Sequence, residues 1–201
     1  MRPLVSVYLG VSLDLCIAEA EGALDFLAPY QQPPEEYGYA AFMAEIDAVI
    51  LGRNTCDTVM GFDGPWPFGD RPVVVLTHRP LPPGPATARA HAGGLTPLLT
   101  EPGAQAVRHV YLDGGAAVRQ GLREGVVDAL TLSVVPELLG TGRRFSTRLS
   151  PARPGRSWAP RPIQAAWYDY GIAAWITLWR HRITLSRAPD AARDGPAFSK
   201  A

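Results

Sequence analysis

The sequence predicts an α/β protein: a central, mostly parallel sheet flanked by helices, with an antiparallel edge at its C-terminal end. Three observations carry that expectation. Short runs rich in β-branched and aliphatic residues recur at 4–14, 47–51, 72–77, 109–112 and 126–135. Up to residue 125 such runs alternate with helical stretches, the order in which crossover connections bring successive strands parallel. Beyond 125 strands predominate, and 163–170 and 172–184 alternate apolar with polar residues around Gly171, as a closing antiparallel hairpin does.

Bulk properties narrow the classes of function. A chain of 201 residues with 47% hydrophobic and 19% charged residues suits one well-cored domain, placed at 1–185. The polar, small and Pro-containing stretch 186–201 reads as a disordered tail. Its 19 basic and 19 acidic residues cancel, so no general attraction draws the chain to nucleic acid or to an anionic membrane. No apolar run is long enough to span a bilayer, and no basic segment with an apolar core opens the chain; a cytoplasmic protein is expected. Cys16 and Cys56 have no ligand spacing and His78, His91, His109 and His181 no cluster, so buried thiols and no metal site are expected.

The elements follow in order. Leu4 to Asp14 lacks a 3.6-residue period and reads as a strand near the sheet centre, with 17–22 as a loop and 24–27 as an apolar turn. Glu35 to Glu45 opens with acids and sets Tyr39, Phe42 and Met43 at helical spacing. Strand 47–51 runs into Gly52-Arg53-Asn54-Thr55, with a short helix over 56–60. Strand 72–77 follows an aromatic loop containing Trp66 and Phe68. The stretch 80–94 is mostly loop with a short strand near 88–90, and 95–105 is a weak helix. His109 to Leu112 is a strand, Gly114-Gly115 a turn, and Ala116 onward a helix with Val118 and Leu122 four apart.

Chemistry gathers where strands give way to helices. At Gly114-Gly115 the backbone can approach a ligand, and the unpaired N–H groups of the following helix favour an anion, a phosphate above all. At the earlier junction Arg53 and Thr55 form a phosphate clamp, or Thr55 caps the helix and Arg53 is solvated; both readings stand. His78 and Arg79 lie past the end of the third strand, where open α/β sheets bind ligands. Arg143, Arg144 and Arg148 follow a glycine turn; they either hold an acidic substrate or are exposed loop arginines.

Taken together, Ser12-Leu-Asp14 with Ile17-Ala18, Gly52-Arg53-Asn54-Thr55, Leu76-Thr77-His78-Arg79, Leu112-Asp113-Gly114-Gly115-Ala116, Val127-Asp128 and Pro136 to Gly142 resemble the dihydrofolate reductase-like superfamily. The closer likeness is to its riboflavin-biosynthesis branch, the C-terminal reductase domain of the bifunctional deaminase-reductase and stand-alone versions of it. The resemblance spans about 4–184. It implies NADPH bound in an extended pose: Gly52, Arg53 and Thr55 with Asp113, Gly114, Gly115, Ala116 and Val118 around the pyrophosphate, Leu76, Thr77, His78 and Arg79 around the adenosine 2′-phosphate, and Ala18 against the nicotinamide. It also implies a homodimer. The chain departs from the family in three places: Leu15 and Ala116 replace glycines, and Gly38 stands where folate reductases carry a carboxylate, four residues before Phe42. Deaminase Cys/His ligands are absent.

The expected function is NADPH-dependent hydride transfer to a small heterocyclic, pterin- or pyrimidine-like, or carbonyl substrate. Asp14 is the candidate proton donor, or it caps its turn. Two alternatives are a non-catalytic NADP(H)-binding homologue and the 5-amino-6-(5-phosphoribosylamino)uracil reductase itself, whose substrate phosphate Arg143, Arg144 or Arg148 would hold.

Overall fold

Along the first strand, β1 (Leu4–Val11), the side chains of Val5, Val7, Leu9 and Val11 are all buried on one face, while Ser6 and Tyr8 are buried on the other. A strand covered on both faces must lie inside its sheet. In the computed structural model, which describes residues 2–31, 37–101, 106–144, 174–179 and 182–184, β1 is flanked on both sides by parallel neighbours.

The remaining elements are β2 (Cys16–Ala18), a 3-10 turn (Asp25–Tyr30), α1 (Tyr39–Ala44), β3 (Ala48–Gly52), α2 (Arg53–Met60), β4 (Val73–Leu76) and β5 (Ala88–His91). After them come α3 (Leu95–Thr100), β6 (His109–Asp113), α4 (Gly115–Glu124), β7 (Ala129–Val134), β8 (Arg143–Arg144), β9 (Ala174–Trp179) and β10 (Arg182–Thr184). The main sheet has eight strands in the order β10-β9-β7-β1-β6-β3-β4-β5. Six of them, β1 and β3 to β7, are parallel, and β9 and β10 form the antiparallel edge. This is the α/β architecture expected from the alternation of patterns.

Two cores follow from the pleat. On one face Val5, Val7, Leu9 and Val11 meet Leu95, Leu98 and Leu99 of α3 and Ala117 and Val118 of α4. On the other Tyr8, Val49, Leu51, Val73, Val75 and Tyr111 meet Met43 of α1 and Cys56 of α2. Both thiols are buried and free.

Carboxylates fasten the loops to these layers. Asp128 accepts two bonds from Arg2, at 2.6 and 2.8 Å, and one from Val5 N–H. Asp47 accepts the N–H groups of Arg108 and His109, whose donation holds its carboxyl below the usual range despite partial burial. Glu124, at the end of α4, accepts the N–H groups of Leu95 and Thr96 and so caps α3, which has no side-chain cap of its own.

Several boundaries differ from the sequence pattern. Cys16 to Ala18 is a strand and not a loop: it pairs antiparallel with β8, a partner more than 120 residues away that no local pattern reveals. α2 begins at Arg53 and α4 at Gly115, both earlier than expected, because the preceding glycine serves as the N-cap. α1 begins at Tyr39 after Gly38 at φ 76°, and α3 ends at Thr100. At the C-terminal edge β9 and β10 pair antiparallel, with Trp179 opposite Arg182, and the expected turn at Gly171 lies outside the described residues. Residues 163–170, Arg148 and 186–201 lie outside the described residues. The short strand near 88–90 is present as β5.

Candidate functional site

Parallel strands end together, and here they end in register. Gly52 pairs with Leu76 and Leu51 with Asp113, so the carboxyl ends of β3, β4 and β6 share one edge of the sheet. In open α/β sheets that edge is where ligands bind.

The two glycine junctions interlock there. A Cβ built on Gly114 would overlap the Thr55 hydroxyl and approach Gly52 N to 3.5 Å, and one built on Gly52 would meet Ala117 at 3.7 Å. Gly114 has φ 90° and ψ 136°, a backbone conformation that side chains scarcely tolerate. Both α2 and α4 begin without a side-chain cap. Their first N–H groups therefore converge as donors without a side-chain acceptor, which suits an anion. Thr55 is not the cap: it lies within α2, against Gly114.

β2 covers this junction from the far side. A Cβ on Gly115 would lie 2.5 Å from Ile17 Cδ1, and one on Gly142 would lie 2.7 Å from the Ala18 carbonyl oxygen. Ala18 is buried and pairs with Arg143 across the small sheet.

The turn after β4 is held from within. The buried Thr77 hydroxyl accepts the Arg79 N–H at 3.0 Å, and Thr77 N–H donates to the His91 carbonyl of β5. His78 and Arg79 are exposed. Arg53 is not free: its Nε donates to Asp57 at 2.7 Å and its other arm to the Pro80 carbonyl at 2.8 Å. Arg79 reaches the same Asp57 at 3.9 Å. Ala116 is exposed at the start of α4, whereas the Val118 side chain is wholly buried in the core and Leu76 packs against it. These two shape the edge through packing, with Val118 turned away from any ligand.

Asp113, at the end of β6, points to the same face as Tyr111 and Tyr39. Burial raises its carboxyl to about 6, only partly offset by the Gly114 N–H that donates to Oδ1 at 2.7 Å. Burial, then the neighbouring Asp113 charge, pushes the Tyr39 hydroxyl to about 12. The wall behind them is aromatic: Phe42 packs edge-on against Tyr111 with ring centres 5.1 Å apart, and against Tyr8 at the same distance. Asp113 drew notice in the sequence as a neighbour of the glycines. Its raised carboxyl did not, because burial by residues from β6 and α1 has no local signature.

Asp14 is placed differently. It accepts from the Ser12 hydroxyl at 2.7 Å and from the N–H groups of Leu139 and Gly140 at 3.1 and 3.0 Å, with Arg144 at 3.8 Å. The Ser12 hydroxyl first, then the Leu139 N–H, hold it well below the usual carboxylate range. Such a group is ionised at neutral pH and has no proton to give. The turn-capping reading of Asp14 is the one the geometry supports, extended to a staple on the 136–140 loop. Arg143 donates to the Ala20 carbonyl and Arg119 to the Arg144 carbonyl, so both β8 arginines are built into the contact between that strand and its neighbours. Among the described residues no group of His, Cys, Asp and Glu could hold a metal, and no helix is long and apolar enough to cross a membrane.

This architecture is the dihydrofolate reductase-like α/β fold, and its solved neighbours are proteins of riboflavin biosynthesis. A protein from Shewanella sp. PV-4 ascribed to riboflavin biosynthesis superposes with a TM-score of 0.73 at 26% identity, over 93% of this chain and 100% of its own. RibD of Acinetobacter baumannii follows at TM-score 0.62 and 17% identity, over 92% of this chain and 58% of its own. The deaminase/5-amino-6-(5-phosphoribosylamino)uracil reductase of Thermotoga maritima gives 0.60 and 13%, over 89% and 56%. The chain thus spans little more than half the length of these last two. Among curated sequences, the uncharacterized protein YwjB of Bacillus subtilis (strain 168) is 28% identical over 137 residues, 68% of this chain and 78% of its own. No family model matches.

Proposed function

We propose that the chain is an NADPH-dependent reductase that delivers hydride to a small heterocyclic or carbonyl substrate lying against the Asp113 wall. The observation that carries this reading is the interlock of Gly114 with Thr55, which brings two uncapped helix starts together at the carboxyl edge. The residues fit an extended dinucleotide. Backbone N–H groups at Arg53 to Thr55 and Gly115 to Ala117 would receive the pyrophosphate, and the lack of a side chain on Gly114 lets α2 close against α4 so that both helix starts lie side by side. One strand over, Thr77 shapes the turn on which His78 and Arg79 would receive the 2′-phosphate. Ile17 and Ala18 would bound the nicotinamide end.

Bound NADPH supplies the hydride. The protein's own part is to orient, exclude water and supply a proton. Asp113 suits the role of proton donor. With its carboxyl raised to about 6 it carries a proton in a minor fraction, about a tenth, at pH 7, far more than an ordinary carboxylate, and its Oδ2 is the oxygen not engaged by Gly114. The half-buried rings of Tyr39 and Phe42, backed by the core rings of Tyr8 and Tyr111, offer an apolar flank for a planar ring.

The test is NADPH oxidation by the purified chain against a panel of pterins, pyrimidines and carbonyl compounds, repeated with Asp113→Asn and Arg79→Ala. Turnover of one class, lowered by about tenfold or more in Asp113→Asn, is expected. NADPH binding without turnover of any compound would replace this reading with that of a binding protein. The activity for which the Thermotoga maritima neighbour is named supports a second reading, reduction of 5-amino-6-(5-phosphoribosylamino)uracil. Growth of a riboflavin-requiring reductase mutant carrying this gene would single it out.

A further inference from the structure

Arg53 and Arg79 converge on one carboxylate, Asp57. Arg53 is only 17% exposed and is fixed twice, to Asp57 at 2.7 Å and to the Pro80 carbonyl. Arg79 is 65% exposed and meets Asp57 only at 3.9 Å. One carboxylate thus faces two guanidinium groups of unequal freedom. Arg53 is a strut between α2 and the loop after β4. Arg79 is the looser partner, parked on Asp57 beside the turn that Thr77 holds.

Building on the NADPH reading above, we infer that Asp57 sets the preference between NADPH and NADH, by competing with the 2′-phosphate for the Arg79 guanidinium. A phosphate arriving at this turn must draw Arg79 from Asp57 and must also approach a carboxylate of its own sign. Both effects weaken binding of the phosphorylated nucleotide and leave NADH untouched, since it carries no phosphate at that position. Asp57 is a positioning residue: it acts through Arg79 and touches no reacting atom.

The substitution Asp57→Asn separates these effects cleanly. The amide oxygen can still accept Arg53 Nε, so the strut survives, while the charge that holds Arg79 is gone. The experiment titrates NADPH and NADH into the full chain, followed by Trp fluorescence, for the wild type, Asp57→Asn, Arg79→Ala and the double variant. Asp57→Asn is expected to tighten NADPH about two- to fivefold, the range for an exposed ion pair, with NADH unchanged and a smaller gain in the Arg79→Ala background, where only the direct repulsion is relieved. Unchanged or weaker NADPH binding in Asp57→Asn, or an equal gain without Arg79, overturns the inference alone. If the wild type binds neither nucleotide, the cofactor reading itself falls and this inference with it.

Discussion

Gly114 sits against Thr55 with no room for a single methyl group between them, and this contact joins β6 and α4 to α2. Gly114→Ala has to resolve two conflicts, the overlap with the Thr55 side chain and the φ of 90°. Backbone strain and overpacking together predict a loss of about 2–4 kcal/mol in urea unfolding. Adding Thr55→Ala removes the hydroxyl but not the φ, so the double variant is expected to recover only part of the loss. Full recovery would mean that crowding alone demands glycine here.

Asp113 predicts a stability that declines toward neutral pH. Its folded carboxyl is raised from 3.8 to about 6, so its favourable state is the protonated one. The contribution is complete below pH about 4 and is lost as the pH rises through 6. Allowing for partial solvent screening, the shift is worth about 2 kcal/mol. Asp113→Asn keeps an acceptor for the Gly114 N–H and removes the charge. It is expected to melt about 5 °C higher than the wild type at pH 8, with no difference at pH 4, while slowing reduction. Thermal melts across that range check the sign.

What the sequence disclosed and what it withheld divide along one line. Strands β1, β3, β4, β6 and β7 were legible because each is a short apolar run bounded by glycine, proline or charge. The glycine junctions were legible because Gly52 and Gly114-Gly115 follow such runs. Contacts between distant segments were not: the β2 and β8 pair, the Asp14 staple and the raised carboxyl of Asp113 each depend on partners far apart in the chain. Arg53 and Asp57 are an intermediate case. Their spacing of four on a helix was available to read, but the approach of Arg79 to the same carboxylate was not.

Glu124 links two helices by electrostatics at little cost in buried surface. Burial raises its carboxyl, yet donation from Gln120, Thr96 and Leu95 outweighs that and leaves it lowered. Glu124→Ala strips α3 of the acceptor at its N-terminus, which predicts a loss of about 1 kcal/mol, typical of a removed cap. The wild-type advantage is present above the ordinary carboxylate range and disappears as pH falls through the lowered native value. Denaturant curves for both proteins at pH 7 and pH 3 are expected to show the larger difference at the higher pH.

Asp14 and Asp113 flank the same edge of the sheet and make opposite predictions. Asp14 is lowered, so its support of the 136–140 loop exists above the ordinary carboxylate range and is lost as pH falls below it. Asp14→Asn retains one acceptor oxygen but replaces the other with an amide that cannot accept the Gly140 N–H, and it loses the attraction of Arg144. Hydrogen exchange at Leu139 and Gly140 is expected to quicken by about tenfold at pH 7, the scale of one charge-assisted hydrogen bond. Reduction, in contrast, should keep its dependence on a group near pH 6, because Asp14 supplies no proton. If Asp14→Asn instead abolished that limb of the pH–rate profile while exchange stayed slow, the proton would have to pass through Asp14, and Asp113 would be left with a purely structural cost.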